Sequence, residues 1–176
     1  ALPNEGSRNT ANEKVGFSAT GDWTYPTGTV LMKHFELALS ETNPSVRTRL
    51  ETRFMVLGDD DVWYGLTYRW RANQLEADLL TTEASADYTI QREGGRTRTQ
   101  RWYFPSRLDC LQCHRDGSGG ALGLKTHQLN GDFTYSSTGR TDNQIETWND
   151  LGMFDPTLSA GSIPGLPSAP TYADVT

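Results

Sequence analysis

The sequence has little of what most function classes require. It carries two cysteines, three histidines and three methionines, so soft metal ligands are scarce. No apolar run approaches the roughly 18 residues needed to cross a bilayer as a helix, and a mean hydropathy of −0.61 fits a chain surrounded by water. Lys and Arg do not cluster, and the net charge is −6 with an isoelectric point near 5.0. That balance argues against nucleic acid as a partner, because binding phosphates needs concentrated basic side chains. The densest basic stretch, RTRTQR at 96–101, alternates Thr with Arg and reads as the exposed face of a strand. No internal repeat is present, and no signal peptide is visible, since ALPNEGSRNTANEK is polar from Asn4 onward.

What the chain does have is enough length, at 176 residues, to bury a core. Residues 1–20 are rich in Asn, Gly, Ser and Thr and read as an irregular arm. From Trp23 the texture changes. VLMKHFELAL at 30–39 is apolar enough for a strand or a short helix, and ETNPS at 41–45 breaks it. LETRFMVLG (50–58) and VWYGLTYRW (62–70) are β-branched and aromatic runs either side of DDD at 59–61, the pattern of a β-hairpin. Further strands are expected at 77–82, 87–93 and 99–104, with EGG at 93–95 as a turn. After Pro105 the pattern turns helical. Ser106 is placed to cap RLDCLQCH with Asp109 in its first turn, and a Gly/Ser loop follows at 117–120. Thr141 and Gln144 fit a capping box for a helix whose apolar face is Ile145, Trp148 and Leu151, stopped by Gly152. From Asp155 onward the chain is rich in Pro, Gly and Ser.

The expected architecture is α+β, an N-terminal antiparallel sheet followed by a mainly helical half. Its divisions are an arm at 1–20, a domain at 21–154 (mainly β over 21–104, helical over 105–154), and a linker-like tail at 155–176 leading to a further domain.

Both cysteines sit in CLQCH at 110–114. On a helix, Cys110, Cys113 and His114 share one face. Covalent haem needs that arrangement, with two thiols for the vinyl groups and an adjacent imidazole for the iron. A thioredoxin-like pair would open a helix after a strand in a βαβ unit, and the surroundings read instead as a β-meander. A structural zinc site, with no third cysteine, would need another histidine or a carboxylate. A disulfide across C-x-x-C in a helix is geometrically tight. His114 is therefore expected as the proximal ligand of a haem c, with apolar lining from residues 121–124, Leu129, Phe133, Trp148 and Met153. For the distal position His34, His127, Met32, Met55, Met153 and Lys33 are the candidates. His34 lies in an apolar strand, Met153 just past a helix stop, and His127 in a polar segment expected to face solvent.

GDWTYPTGTVLMKHFEL, LETRFMVL, VWYGLTYRWRANQLEADLL, RWYFPSRLDCLQCH, LGLKTHQLNGDFTY and TDNQIETWNDLGMF together resemble a family of secreted bacterial c-type cytochrome domains. The resemblance covers roughly residues 20–176. Such domains occur in multidomain proteins, some beside a second haem domain or a quinone-dependent sugar dehydrogenase. The resemblance implies an aspartate before the first cysteine, here Asp109, and a TxQLN stretch, here Thr126–Asn130. Its KHFEL segment favours His34 as distal ligand, with Met153 the alternative. A family stretch containing Trp and Ser before ALP has no counterpart here, which implies that a segment precedes this one in the natural protein. The implied function is one-electron transfer in the periplasm or outside the cell. The implied partner is a sugar-oxidising or polysaccharide-degrading oxidoreductase, or a second haem domain. Two rival readings stand beside it. One is a haem enzyme with an open distal site. The other is a carbohydrate-binding module built on the five tryptophans, of which Trp23 is the surface candidate.

Overall fold

A computed structural model of the chain describes residues 1–4, 6, 10–115 and 120–170. They fall into two compact units, one of residues 30–58 and 62–120, the other of residues 1–29, 59–61 and 121 onward.

The sheet-bearing unit begins with β2 (Val30–Ala38), β3 (Arg47–Leu57), β4 (Trp63–Trp70) and β5 (Ala77–Leu79), a four-stranded antiparallel sheet in that order. Alternation puts successive side chains on opposite faces. Through the observed register, Leu31, Met55 and Gly65 form one row across the sheet, Lys33, Arg53 and Thr67 the next, and Phe35, Glu51 and Arg69 a third, all on one face. Met32, Phe54 and Leu66, and His34, Thr52 and Tyr68, occupy the reverse face. A separate hairpin, β6 (Ala84–Gln91) with β7 (Thr97–Phe104), follows, and its Ile90 and Phe104 are fully buried. Burial of such side chains contributes about 1.5–3 kcal/mol each. The short helix α1 (Arg107–Cys113) then packs on β4.

The second unit pairs β1 (Val15–Gly16) in parallel with β10 (Phe154–Asp155). Between them lie α2 (Thr126–Leu129), the hairpin of β8 (Asp132–Tyr135) and β9 (Arg140–Asn143), and α3 (Gln144–Asp150). Its core is Val15, Trp23, Ile145, Phe154 and Ile163. Trp23 and Phe154 meet edge to face at 5.2 Å.

These observations correct the expected fold class. Among the described residues strand exceeds helix, 38% against 19%, and the part after Phe104 is not a mainly helical half. Its described α-helices run to seven, four and seven residues. The signal misread was the DFTY and RTDN pair, whose aromatic and β-branched residues form β8 and β9, with Thr134 and Thr141 hydroxyls 2.7 Å apart across the strands. Thr141 is thus in a strand, and the cap of α3 is Asn143, whose side chain accepts from the Ile145 and Glu146 amides. The helix carrying CLQCH belongs with the sheet, while the later helices group with the chain's first 29 residues.

Two expected irregular segments are built in. In the arm, Glu13 and Val15 are buried; in the tail, Ile163 is 3% exposed within the core. Residues 117–119 of the expected loop and 171–176 of the tail lie outside the described residues. Among the described residues no helix is long and apolar enough to cross a membrane.

Candidate functional site

The chain enters α1 through a reciprocal cap. Ser106 Oγ accepts from the Asp109 amide at 3.3 Å, while Asp109 Oδ2 accepts from the Ser106 amide and hydroxyl, each at 2.8 Å. The same carboxylate oxygen accepts from the Tyr103 phenol at 2.8 Å, which ties the end of β7 to the helix. The Tyr103 hydrogen bond, then Ser106, holds the Asp109 carboxyl below the usual range, and the Tyr103 phenol is pushed up to about 12. Asp109 is thereby an anchor for the segment that presents the motif.

Cys110 is the fourth residue of α1 and lies against the sheet. A side chain at Gly65 would place its Cβ 2.7 Å from Cys110 Cβ and 2.8 Å from its Sγ. Glycine inside a strand marks close approach of another chain segment, and here it admits the helix. Burial pushes the Cys110 thiol up. Cys113 is exposed, and neither cysteine is in a disulfide. His114 caps α1 at its C-terminal end, and its Nδ1 lies 2.7 Å from the Gly120 carbonyl oxygen. Gly120 has φ +69°, and a Cβ there would lie 2.0 Å from Trp63 Cδ1. A backbone acceptor on Nδ1 fixes the ring so that Nε2 is the nitrogen available to a metal, the usual arrangement of a metal-bound imidazole.

Along the same sheet face, beyond the Gly65 row, charged and polar side chains follow. Glu51 is fully buried, and its Oε1 accepts from the Arg53 guanidinium at 2.5 Å and from Trp102 Nε1 at 3.0 Å. Glu51 Oε2 and Arg53 Nε are buried without a protein partner.

The structure does not bring His34 to this place. It lies on the reverse face of the sheet, its Nδ1 2.8 Å from Thr52 Oγ1 and its Nε2 3.5 Å from Glu36 Oε1. It lines an apolar hollow of about 550 Å³ with Met32, Phe54, Tyr68 and Trp70. Strand alternation is the physical reason: an even-numbered residue of β2 cannot share a face with Gly65 and Cys110. Met153 belongs to the other unit, where its carbonyl accepts from the Val15 amide and it lines a small cavity with Leu2 and Glu13. His127 is exposed on α2, as expected. Leu124, Leu129 and Trp148, read as haem lining, pack on the core of their own unit, and Phe133 is 48% exposed. Trp23, read as a surface tryptophan, is 4% exposed and its Nε1 donates to Thr126 Oγ1. The Thr126–Asn130 stretch is structural: Thr126 is buried beneath Trp23, and Asn130 Nδ2 donates to the Leu166 carbonyl.

Gly65, Glu51, Arg53 and Trp102 were not singled out by the motif. The glycine interrupting an aromatic strand was the available signal for the first; a buried Glu within LETRF gave none. Among the described residues no three His, Cys, Asp or Glu side chains converge on one point as metal ligands. No protein-family model, no curated protein and no solved structure matches the chain.

Proposed function

We propose that the chain is a mono-haem c-type cytochrome domain that carries single electrons, with haem c bound covalently through Cys110 and Cys113 and His114 as proximal ligand. The observation that carries the reading is the His114 imidazole, oriented by the Gly120 carbonyl at 2.7 Å and set directly after Cys113 at the end of α1, which also carries Cys110. Haem, when bound, supplies the one-electron chemistry. The chain's own residues fix the imidazole and seat the attachment helix on Gly65, and the charges of Arg53 and Glu51 act on Cys110.

Two rivals named by the same motif fit less well. A redox-active thiol pair needs a depressed thiol at a helix N-terminus. Cys110 is instead raised by burial and lies a full turn into α1. A zinc site needs four converging ligands, and the described residues bring no such set together.

The acidic charge of −6 suits brief docking on a partner with basic patches. By the family resemblance the partner is a sugar- or polysaccharide-oxidising enzyme or a second haem domain, and the compartment is periplasmic or extracellular. The test is a potentiometric titration of protein produced with haem-maturation machinery, followed by exposure to carbon monoxide and peroxide. A single reversible one-electron step without peroxide turnover is the expected result. Rapid peroxide consumption would move the protein to the haem enzymes.

A further inference from the structure

The hollow on the reverse face of the β2–β5 sheet plays no part in the reading above. Within the same unit, α1 and β7 pack on the other face: Cys110 meets Gly65, and Trp102 lies 5.7 Å from Phe35 and donates to Glu51. The face they leave open is apolar. Met32 is 67% exposed there, and Leu79, the cross-strand neighbour of Tyr68, is 48% exposed. Phe54, Leu66, Tyr68 and Trp70 line the space of about 550 Å³. A hollow of that size, walled by aromatic and aliphatic side chains, has the usual form of a small-molecule site.

Its chemistry narrows the occupant. Trp70 Nε1 donates to Thr52 Oγ1 at 3.0 Å, that hydroxyl lies 2.8 Å from His34 Nδ1, and His34 Nε2 faces Glu36 Oε1 at 3.5 Å. These polar groups are spent on one another, so a sugar would lose water there without gaining partners. At the edge Arg49, set opposite Glu36 by the irregular β2–β3 register, holds its guanidinium 4.8 Å from the Trp70 ring centroid, steadied by the Gln74 carbonyl at 3.0 Å. A cationic ligand would be repelled by it. Glu36 pairs instead with Arg47 at 3.9 Å, and among the described residues no carboxylate is within ion-pairing distance of Arg49. A guanidinium already held on an aromatic ring presents its planar fork to a carboxylate with little freedom left to lose. We infer that the hollow binds an amphiphilic monocarboxylate, an aromatic or long-chain acid. Its apolar body lies along Phe54, Tyr68 and Trp70, and its carboxylate meets Arg49. The inference does not rest on the haem c reading.

The experiment uses the full chain under reducing conditions, labelled with ¹³C on the methionine methyls and titrated with naphthoate and, separately, with the neutral naphthylmethanol. The three methionines report on three places. Met32 lines the hollow, Met55 lies on the opposite face of the sheet, and Met153 belongs to the other unit. Saturable binding of both compounds is expected, with the Met32 methyl shifting and showing through-space contacts to naphthalene protons while Met55 and Met153 stay in place. Added sodium chloride should weaken naphthoate and leave naphthylmethanol unchanged. Arg49→Gln should weaken naphthoate about fivefold, again without effect on naphthylmethanol, whose retained binding shows that the variant is folded. Binding of neither compound, or binding that shifts Met55 or Met153 instead of Met32, overturns the site. Naphthoate binding indifferent to salt in the wild-type protein overturns the carboxylate contact whether or not the variant folds. A Met32 shift that follows protein concentration without ligand gives the face to a second copy of the chain and overturns the proposal.

Discussion

The Nδ1 of His114 lies 2.7 Å from the carbonyl oxygen of Gly120, six residues further along the chain, and Gly120 in turn sits against Trp63 with left-handed backbone at φ +69°. Ring orientation, the Gly120 backbone and a sheet tryptophan are thus one connected arrangement. Replacing Gly120 with alanine puts a Cβ 2.0 Å from Trp63 Cδ1 and penalises the backbone as well. We expect Gly120→Ala to cost at least about 2 kcal/mol in urea unfolding. Gly131→Ala, where nothing lies within 4 Å of the added carbon, should stay within about 0.5 kcal/mol of wild type.

Gly65→Ala tests the seating of α1. The new methyl would overlap Cys110 at 2.7 Å, and a strand backbone cannot retreat far. A loss of about 1–3 kcal/mol is expected, with reduced yield of haem-loaded protein. Unchanged stability and loading would mean that the helix does not pack here.

The Tyr103–Asp109 contact makes the anchor of α1 sensitive to pH in two directions. Asp109 is held below its ordinary range in the folded protein, so its contribution is present above the unfolded carboxylate range and fades as pH falls through the folded value. Tyr103 is raised from 10.0 to about 12, so its contribution is intact below pH 10.0 and is lost as pH climbs toward about 12. Thermal unfolding across alkaline pH should fall more steeply for wild type than for Tyr103→Phe, which has no phenol to titrate. Parallel curves would show that the contact does not hold in solution.

Glu51 answers both the Arg53 guanidinium and the Trp102 indole from a fully buried position. Glu51→Gln keeps an acceptor for Trp102 but leaves Arg53 without its counter-charge. Breaking such a pair from one side costs on the order of 3 kcal/mol, read from the denaturant midpoint. A change below about 1 kcal/mol would show that Arg53 finds water or another carboxylate instead.

The strands were legible where chemistry is local. Alternating aromatic and β-branched runs marked β3 and β4, EGG marked the turn before β7, and Ser106 with Asp109 marked the start of α1. Missed elements depended on distant partners. Trp23 and Ile163 are core residues because α3 and β10 bring their own apolar residues to the same cluster, which nothing in the Gly-, Pro- and Ser-rich segments around them announces. CLQCH was readable as a unit because its three groups are contiguous. That His34 lies on the face opposite Gly65 was not legible, because that face is set by register with β3, a property of the sheet rather than of KHFEL.

The most direct measurement is the visible spectrum of purified protein, made with haem-maturation machinery, after full denaturation and reduction in alkaline pyridine, for wild type beside the double variant Cys110→Ser, Cys113→Ser. A c-type pyridine haemochrome that stays with the wild-type polypeptide through denaturation and is absent from the variant is expected. A colourless wild-type chain, or colour that separates from the polypeptide on denaturation, would contradict it.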